Sequence, residues 1–126
     1  MNKLVRDNLI AQMVGGGDHP KFRSLSQPEF VRELVKKLQE EAIELAQAKP
    51  ERVISEIADI QQLIDTLLET LGVTKAKLNQ IKAEKNKQNG TFKKRLYVEN
   101  IELQDESQWM NYFLDNYQEI KQEIIK

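Results

Sequence analysis

Two short acidic runs contain the residues best suited to chemistry. The first run places Glu41 and Glu44 three positions apart, and the second places Glu56 and Asp59 at the same spacing. On an α-helix, residues at this spacing lie one turn apart on one face. Two like charges so close repel each other in water unless a cation lies between them. A hard divalent cation such as Mg²⁺ prefers oxygen ligands, so the pattern favours a carboxylate metal site.

The second acidic pair coincides with the apolar face of its helix. On a helical projection Glu56 lies between the directions of Ile60 and Leu63, and Asp59 lies just beyond them. Glu41 lies about 60° from the centre of the apolar stripe of its own helix. An acid on a core-facing arc costs several kcal/mol when it is charged and unpaired. Mg²⁺ held between two facing helices, each giving an acid pair, would remove this cost.

The same acids have a simpler interpretation. Glutamate is common on helix surfaces in this chain, and two acids at this spacing often occur by chance. The two pairs would then form a solvated acidic face with lysine partners. Glu40 points away from the apolar stripe, so we expect it to face solvent or to support the neighbouring ligands.

A second cluster is basic and could contact a polyanion. Between positions 82 and 95 one acid, Glu84, stands among six cations: Lys82, Lys85, Lys87, Lys93, Lys94 and Arg95. Such a segment could fold over the phosphates of a nucleotide, although each lysine taken singly is typical of a solvated surface. The sequence contains neither a Walker loop nor a dinucleotide-binding fingerprint. Phosphate binding would therefore depend on a metal and on side chains.

Composition excludes several other classes of site. The 126 residues include 19 Lys and Arg against 20 Asp and Glu, no cysteine, and one histidine, His19. Disulfides, cysteine-ligated metals and histidine triads are therefore excluded or disfavoured, as is a di-iron centre, which needs Glu-x-x-His pairs. Without a long apolar run or a strong net charge, we expect a cytoplasmic protein with no membrane or nucleic-acid partner.

Hydrophobic spacing and cap residues predict the elements that position these acids. Apolar periodicity predicts a first helix over residues 2–14, ended by three glycines. Ser26 and Glu29 form a capping box that begins a helix over 27–48. Lys49-Pro50 breaks it, and a second long helix runs from Pro50 to Gly72, a left-handed cap. The short break predicts that these two helices pack antiparallel.

The rest of the chain is predicted to be mainly helical. Thr74 caps a helix over about 75–88, residues 92–103 suggest extended chain with a short strand or hairpin, and a C-terminal helix follows over 106–125. We therefore predict an all-α antiparallel helical bundle formed by a single domain, 1–126. The two long helices have a wide apolar arc, which a chain of this size covers poorly, so we also expect a homo-oligomer.

The acidic runs occur together with an N-terminal motif that resembles a known family. Lys3-Leu4-Val5-Arg6-Asp7 is similar to the N-terminal signature of MazG-like, phosphoribosyl-ATP-pyrophosphohydrolase-like proteins. Glu40-Glu41-Ala42-Ile43-Glu44 and Glu56-Ile57-Ala58-Asp59 resemble the E-E-x-x-E and E-x-x-D metal motifs of that superfamily, in order and on successive helices. Although each motif is weak alone, the ordered set is fairly specific.

The basic segment extends the resemblance to about residues 1–98. Lys85, Asn89-Gly90-Thr91-Phe92 and Arg95 resemble the lysine and glycine turn that follow the metal helices in this family. The additional C-terminal stretch, 104–126, has no counterpart in the resemblance. We expect its aromatic residues to pack within the chain or between subunits.

The resemblance implies a fold, a reaction and a set of functional residues. It implies a MazG-like all-α nucleoside triphosphate pyrophosphatase, a dimer or tetramer, that produces a nucleoside monophosphate and pyrophosphate. It implies that Mg²⁺, with Mn²⁺ as a substitute, is held by Glu41, Glu44, Glu56 and Asp59. Glu40, or one of the ligating acids such as Glu41, would accept the proton of the attacking water. The expected phosphate contacts are Lys85, Arg95, Lys3 and Arg6.

Two alternatives stay open. Arg6 and Asp7 could form a structural ion pair in place of a phosphate contact. The chain could also be a non-catalytic helical binding or assembly protein that keeps the fold without the activity.

Overall fold

The computed structural model describes residues 2–102, 104 and 107–110, and this part of the chain contains helices and no strand. The helices are α1 (Leu9–Gly15), α2 (Gln27–Gln47), α3 (Val53–Leu71) and α4 (Lys75–Asn89). A 3-10 turn, Pro50–Arg52, precedes α3. The chain divides into two compact units, Met1–Gln88 and Asn89–Lys126. The all-α prediction is confirmed for the described residues, while the MazG-like bundle and the single domain stay predictions.

Helix α2 begins where the capping box predicts. The Ser26 hydroxyl accepts a hydrogen bond from the Glu29 backbone N–H at 3.4 Å, and the Glu29 carboxylate accepts one from the Ser26 backbone N–H at 3.3 Å. Arg23 donates to the same carboxylate at 2.8 Å. Hydrogen bonds to the Glu29 carboxylate, first from Arg23 and then from the Ser26 hydroxyl and backbone N–H, lower the pKa of Glu29 to about 2. The start of α2 is thus capped by groups close to it in sequence.

Helices α2 and α3 form the antiparallel pair that the short break predicts. The Gln27 side chain, at the start of α2, donates to the Thr70 carbonyl, near the end of α3, at 3.3 Å. Leu34 lies in this contact and is 2% exposed. Gly72 ends α3 in the left-handed conformation, with φ of 71°, which glycine adopts without strain. One pair of helices thus contains most of the packing that positions the acidic runs.

The predicted first helix is too long at its N-terminus. Residues 2–6 have no regular structure and a turn at 7–8 leads into α1, which begins at Leu9. Asp7 and Asn8 favour such turns because their short polar side chains compete for backbone hydrogen bonds. The guanidinium of Arg6, in this irregular segment, contacts Asp59 of α3.

The predicted strand near 92–103 is not present among residues 92–102. This stretch contains only a turn, in which the Arg95 N–H donates to the Phe92 carbonyl at 3.1 Å and Arg95 has a φ of 57°. A lone strand is unstable without a partner, and the described residues supply none. Of the predicted C-terminal helix, Trp109 and Met110 are helical. Residues 105–106 and 111–126 lie outside the described part of the chain.

Replacing the cap of α2 should destabilise the protein measurably. We expect Ser26→Ala to lower the free energy of unfolding by about 1 kcal/mol, because the Glu29 backbone N–H loses its acceptor and the Glu29 carboxylate loses the hydroxyl donor. Urea denaturation followed by circular dichroism measures the change. The control is Ser24→Ala, whose hydroxyl makes no hydrogen bond within the described residues. An equal loss in both variants would contradict the capping role.

Candidate metal centre

Three carboxylates from α2 and α3 converge across the helix pair. Glu41 on α2 and Glu56 and Asp59 on α3 each offer an oxygen, and these three oxygens all lie within 4.8 Å of one another. The antiparallel register places the middle of α2 opposite the start of α3, so residues 15 positions apart in sequence meet. We call Glu41, Glu56 and Asp59 the acidic cluster.

Two members of the acidic cluster are buried. Glu41 is 8% exposed and Glu56 is 6% exposed. The Oε2 atom of each is inaccessible to solvent and has no hydrogen-bond partner among the described residues. A buried carboxylate oxygen without a hydrogen-bond donor lowers the stability of the fold, because it loses its hydrogen bonds to water and forms none within the protein. The cluster therefore requires positive charge from a proton or a cation.

Two arginines supply part of that charge. The Arg52 guanidinium lies 3.4 Å from Glu56 Oε1, one turn away on the same helical path. The Arg6 guanidinium lies 2.7 Å from Asp59 Oδ1 and reaches it from a segment 53 residues away in sequence. Both arginines are largely exposed, so each contact is screened by water. The two buried Oε2 atoms receive no hydrogen bond from either of them.

The negative charge of Glu41 is reduced by a proton, because the pKa of this carboxyl is raised. Burial is the largest of the effects that raise the pKa of Glu41 to about 7. The negative charge of Glu44, a hydrogen bond with the Glu56 carboxyl and the negative charge of Asp59 also contribute to this rise. Lys37 opposes it weakly as the last of the contributions. Glu41 therefore keeps its proton to a higher pH than an exposed glutamate does. A divalent cation would take the place of that proton.

The other two acids of the first run lie outside the acidic cluster. Glu44 is exposed, and its charge acts on Glu41 from one turn along α2. Glu40, expected to face solvent or to support the ligands, is half-buried and belongs to no group of three potential ligands among the described residues. The structure thus brings together three of the four acids that the sequence predicts as metal ligands.

The predicted phosphate contacts occupy different places. Lys3 is exposed near the N-terminus, and Lys85 is exposed on α4. Arg95 is exposed in the second unit, in the turn described above. Arg6 is the one cation of this set that contacts the acidic cluster, and its partner is Asp59 rather than Asp7.

Sequence reasoning missed both arginines as partners of the cluster. The spacing of Arg52 and Glu56, four positions apart at the start of a helix, is a signal that could have indicated their contact. No local pattern indicates the contact between Arg6 and Asp59, since it depends on where the N-terminal segment lies on α3.

The acidic cluster fits a hard divalent cation. Its donors are carboxylate oxygens from three side chains, two of which have a buried oxygen that lacks a partner. Mg²⁺ and Mn²⁺ favour such oxygen donors and keep further positions for water or phosphate oxygens. Glu41, Glu56 and Asp59 are the residues that would hold the ion.

Among the helices of the described residues, none combines the length and the hydrophobicity that a membrane span requires.

Comparisons with known proteins find no match for this chain, whether with protein-family models, with curated proteins or with solved structures. The family resemblance therefore depends on the motifs quoted for it and stays a prediction.

The raised pKa of Glu41 predicts how stability depends on pH when metal is removed. In EDTA the folded state holds a proton on Glu41 up to about pH 7, whereas the unfolded chain releases it near 4.5. We expect the free energy of unfolding to fall as pH rises between these values, by at most on the order of 3 kcal/mol. Glu29 acts in a separate window, because its contribution is lost as pH falls from 4.5 to about 2.

Thermal denaturation of variants between pH 4.5 and 8 in EDTA measures the effect. Glu41→Gln, which cannot ionise, should remove the decline, while Glu69→Gln on the exposed face of α3 should keep it. A decline that persists in Glu41→Gln would assign it to another group.

Proposed function

We propose that this protein is a Mg²⁺-dependent nucleoside triphosphate pyrophosphohydrolase that contributes to nucleotide-pool housekeeping. The observation that carries the proposal is the acidic cluster with its two buried, unpartnered carboxylate oxygens. The ordered motifs that resemble MazG-like, phosphoribosyl-ATP-pyrophosphohydrolase-like proteins supply the reaction. A cytoplasmic location and a nucleoside triphosphate, or a related phosphate-bearing nucleotide, as substrate belong to the same proposal.

Each acid has a proposed role in this chemistry. Glu41, Glu56 and Asp59 hold the cation, and Glu44, exposed beside them, is the fourth ligand that the resemblance implies. When bound, the ion neutralises phosphate charge and acidifies a coordinated water. Glu40 and Glu41 are the proposed acceptors of the proton from the attacking water. A general base must lie within hydrogen-bond reach of that water, which their place on α2 beside the other acids favours.

The cations have a complementary proposed role. Lys85, Arg95, Lys3 and Arg6 are the proposed phosphate contacts, on the resemblance of their motifs. A triphosphate is a polyanion, and charge-assisted hydrogen bonds from lysine and arginine hold it while it is cleaved. Gly90 of the glycine turn has a φ of 82°, a left-handed conformation that glycine adopts without strain.

Metal-dependent release of pyrophosphate tests the function. We expect a panel of standard and modified nucleoside triphosphates to include one that is hydrolysed with Mg²⁺ or Mn²⁺ and not with EDTA. Glu56→Gln should lower the rate at least about 100-fold, because it removes a charged ligand while keeping the size of the side chain. Glu69→Gln on the same helix should keep the wild-type rate.

The outcome also separates the enzyme from the alternative. Pyrophosphate release that persists in Glu56→Gln would show that the reaction does not depend on the acidic cluster. No release from any nucleotide, together with no rise in melting temperature on adding Mg²⁺, would favour the non-catalytic binding protein.

A homo-oligomer, dimer or tetramer, belongs to the proposal. Few apolar residues of the described chain are covered, and five on α2 and α3 are exposed: Val35, Ile43, Ile54, Ile57 and Leu71. Ile54 alone is 74% exposed, two residues from buried Glu56. Apolar area of this kind on a packed helix pair is typical of an interface between subunits.

Sedimentation velocity at micromolar concentration tests the assembly. We expect the wild type to sediment as a dimer or tetramer and Ile54→Glu to shift toward the monomer, because a charge cannot be buried unpaired in an interface. Ser55→Glu adds the same charge at the next, exposed position and should keep the assembly. A monomeric wild type would contradict the expectation.

A further inference from the structure

The N-terminal segment, residues 2–8, is joined to the acidic cluster by one side chain. Arg6 donates to Asp59 at 2.7 Å, and within the described residues no other hydrogen bond connects this segment to α2 or α3. Leu4 is half-buried, while the remaining members of the segment are exposed. Among hydrogen bonds and ion pairs of the described residues, the Arg6–Asp59 contact is therefore the one that holds the segment to the helix pair.

The ion pair is exposed and easily exchanged. The Arg6 side chain is 58% exposed and that of Asp59 is 36% exposed. Pairs of this kind contribute little to stability, because water and salt screen them and an arginine loses rotamer freedom in forming them. By contrast, a divalent cation among three carboxylates is held by several charge-charge contacts at once, two of them to buried groups.

Arg6 and a divalent cation require the same negative charge. A cation that binds the acidic cluster shares the Asp59 carboxylate, so the guanidinium on Asp59 Oδ1 would lie within a few ångströms of a double positive charge. The two cations repel each other. Since Arg6 belongs to a loosely held segment and Arg52 is fixed at the start of α3, Arg6 is the one that can leave.

We propose that Arg6 is a built-in counter-ion of the acidic cluster, which a divalent cation displaces from Asp59, so that loading the centre releases residues 2–8 from α3. This inference rests on the proposed metal centre. The N-terminal segment is then a part of the site that moves when metal binds. The Arg6 guanidinium competes with the ion for Asp59 and does not position Asp59 for metal binding.

Titration with Mn²⁺ alone, by calorimetry at constant ionic strength, tests the competition. Arg6→Gln should bind Mn²⁺ about three- to tenfold more tightly than the wild type, because the competing charge is gone. The matched control is Arg23→Gln. Arg23 forms an equally short and equally exposed pair with Glu29, about 18 Å from Glu41 along α2, and its loss should change affinity less than about twofold.

Tryptic cleavage followed by intact-mass spectrometry tests the release. Trypsin must take the Arg6 side chain away from Asp59, so we expect Mn²⁺ to raise the cleavage rate after Arg6 about two- to fivefold. Cleavage after Arg23 in the same molecules should not rise. In EDTA, Asp59→Asn should be cleaved after Arg6 at the faster rate without any metal.

The results distinguish this inference from the proposed function. If Mn²⁺ binds the wild type and Glu56→Gln abolishes that binding, the metal centre stands. Equal or weaker binding in Arg6→Gln, or cleavage after Arg6 that Mn²⁺ leaves unchanged or slows, would then overturn the counter-ion role alone. If Mn²⁺ does not bind the wild type or Arg6→Gln, the metal centre is wrong and the inference fails with it.

Discussion

The opposition of Glu41 and Glu56 across the α2–α3 pair is the constraint on which the rest of the site depends. Two carboxylates, each less than a tenth exposed, face each other where apolar side chains would pack with a gain in stability. Burial, the charges of Glu44 and Asp59 and a hydrogen bond with Glu56 raise the pKa of Glu41. One oxygen of each buried carboxylate has no hydrogen-bond partner among the described residues. Arg52 pairs with Glu56, Arg6 pairs with Asp59, and a proton on Glu41 lowers the remaining negative charge.

This arrangement requires a particular helix register. If α3 shifted by one residue relative to α2, Glu56 would rotate by about 100° away from Glu41 and the acidic cluster would be lost. The capping box at Ser26, the break at Pro50 and the left-handed Gly72 fix where the helices begin and end. The contact of Gln27 with Thr70 joins the far end of the pair. Local signals that stabilise the helices thus also determine the geometry of the site.

Elements with strong local signals could be predicted from the sequence, and contacts between distant segments could not. The bounds of α2 and α4 agree with their predicted ranges within one residue, because caps and breakers lie at their ends. The convergence of Glu41, Glu56 and Asp59 follows from acid spacing and an antiparallel pair. The first helix was predicted too long because apolar spacing does not show that a turn at Asp7-Asn8 begins it. The predicted strand near 92–103 is absent from residues 92–102, because apolar residues alone do not supply a partner strand. Glu44 shares the spacing of a ligand but lies one turn beyond the cluster.

Charge balance connects the proton, the arginines and the proposed cation. The acidic cluster has three acids, and two arginines contact two of them. The third, Glu41, has no arginine partner, and its pKa near 7 means that a proton neutralises it in part. A divalent cation adds two positive charges to a site that is already close to neutral. A bound cation would favour loss of the Glu41 proton, since metal ligands bind in the deprotonated form, and it would repel the guanidinium of Arg6. The proposed metal binding to this helix pair is therefore expected to depend both on pH and on the N-terminal segment.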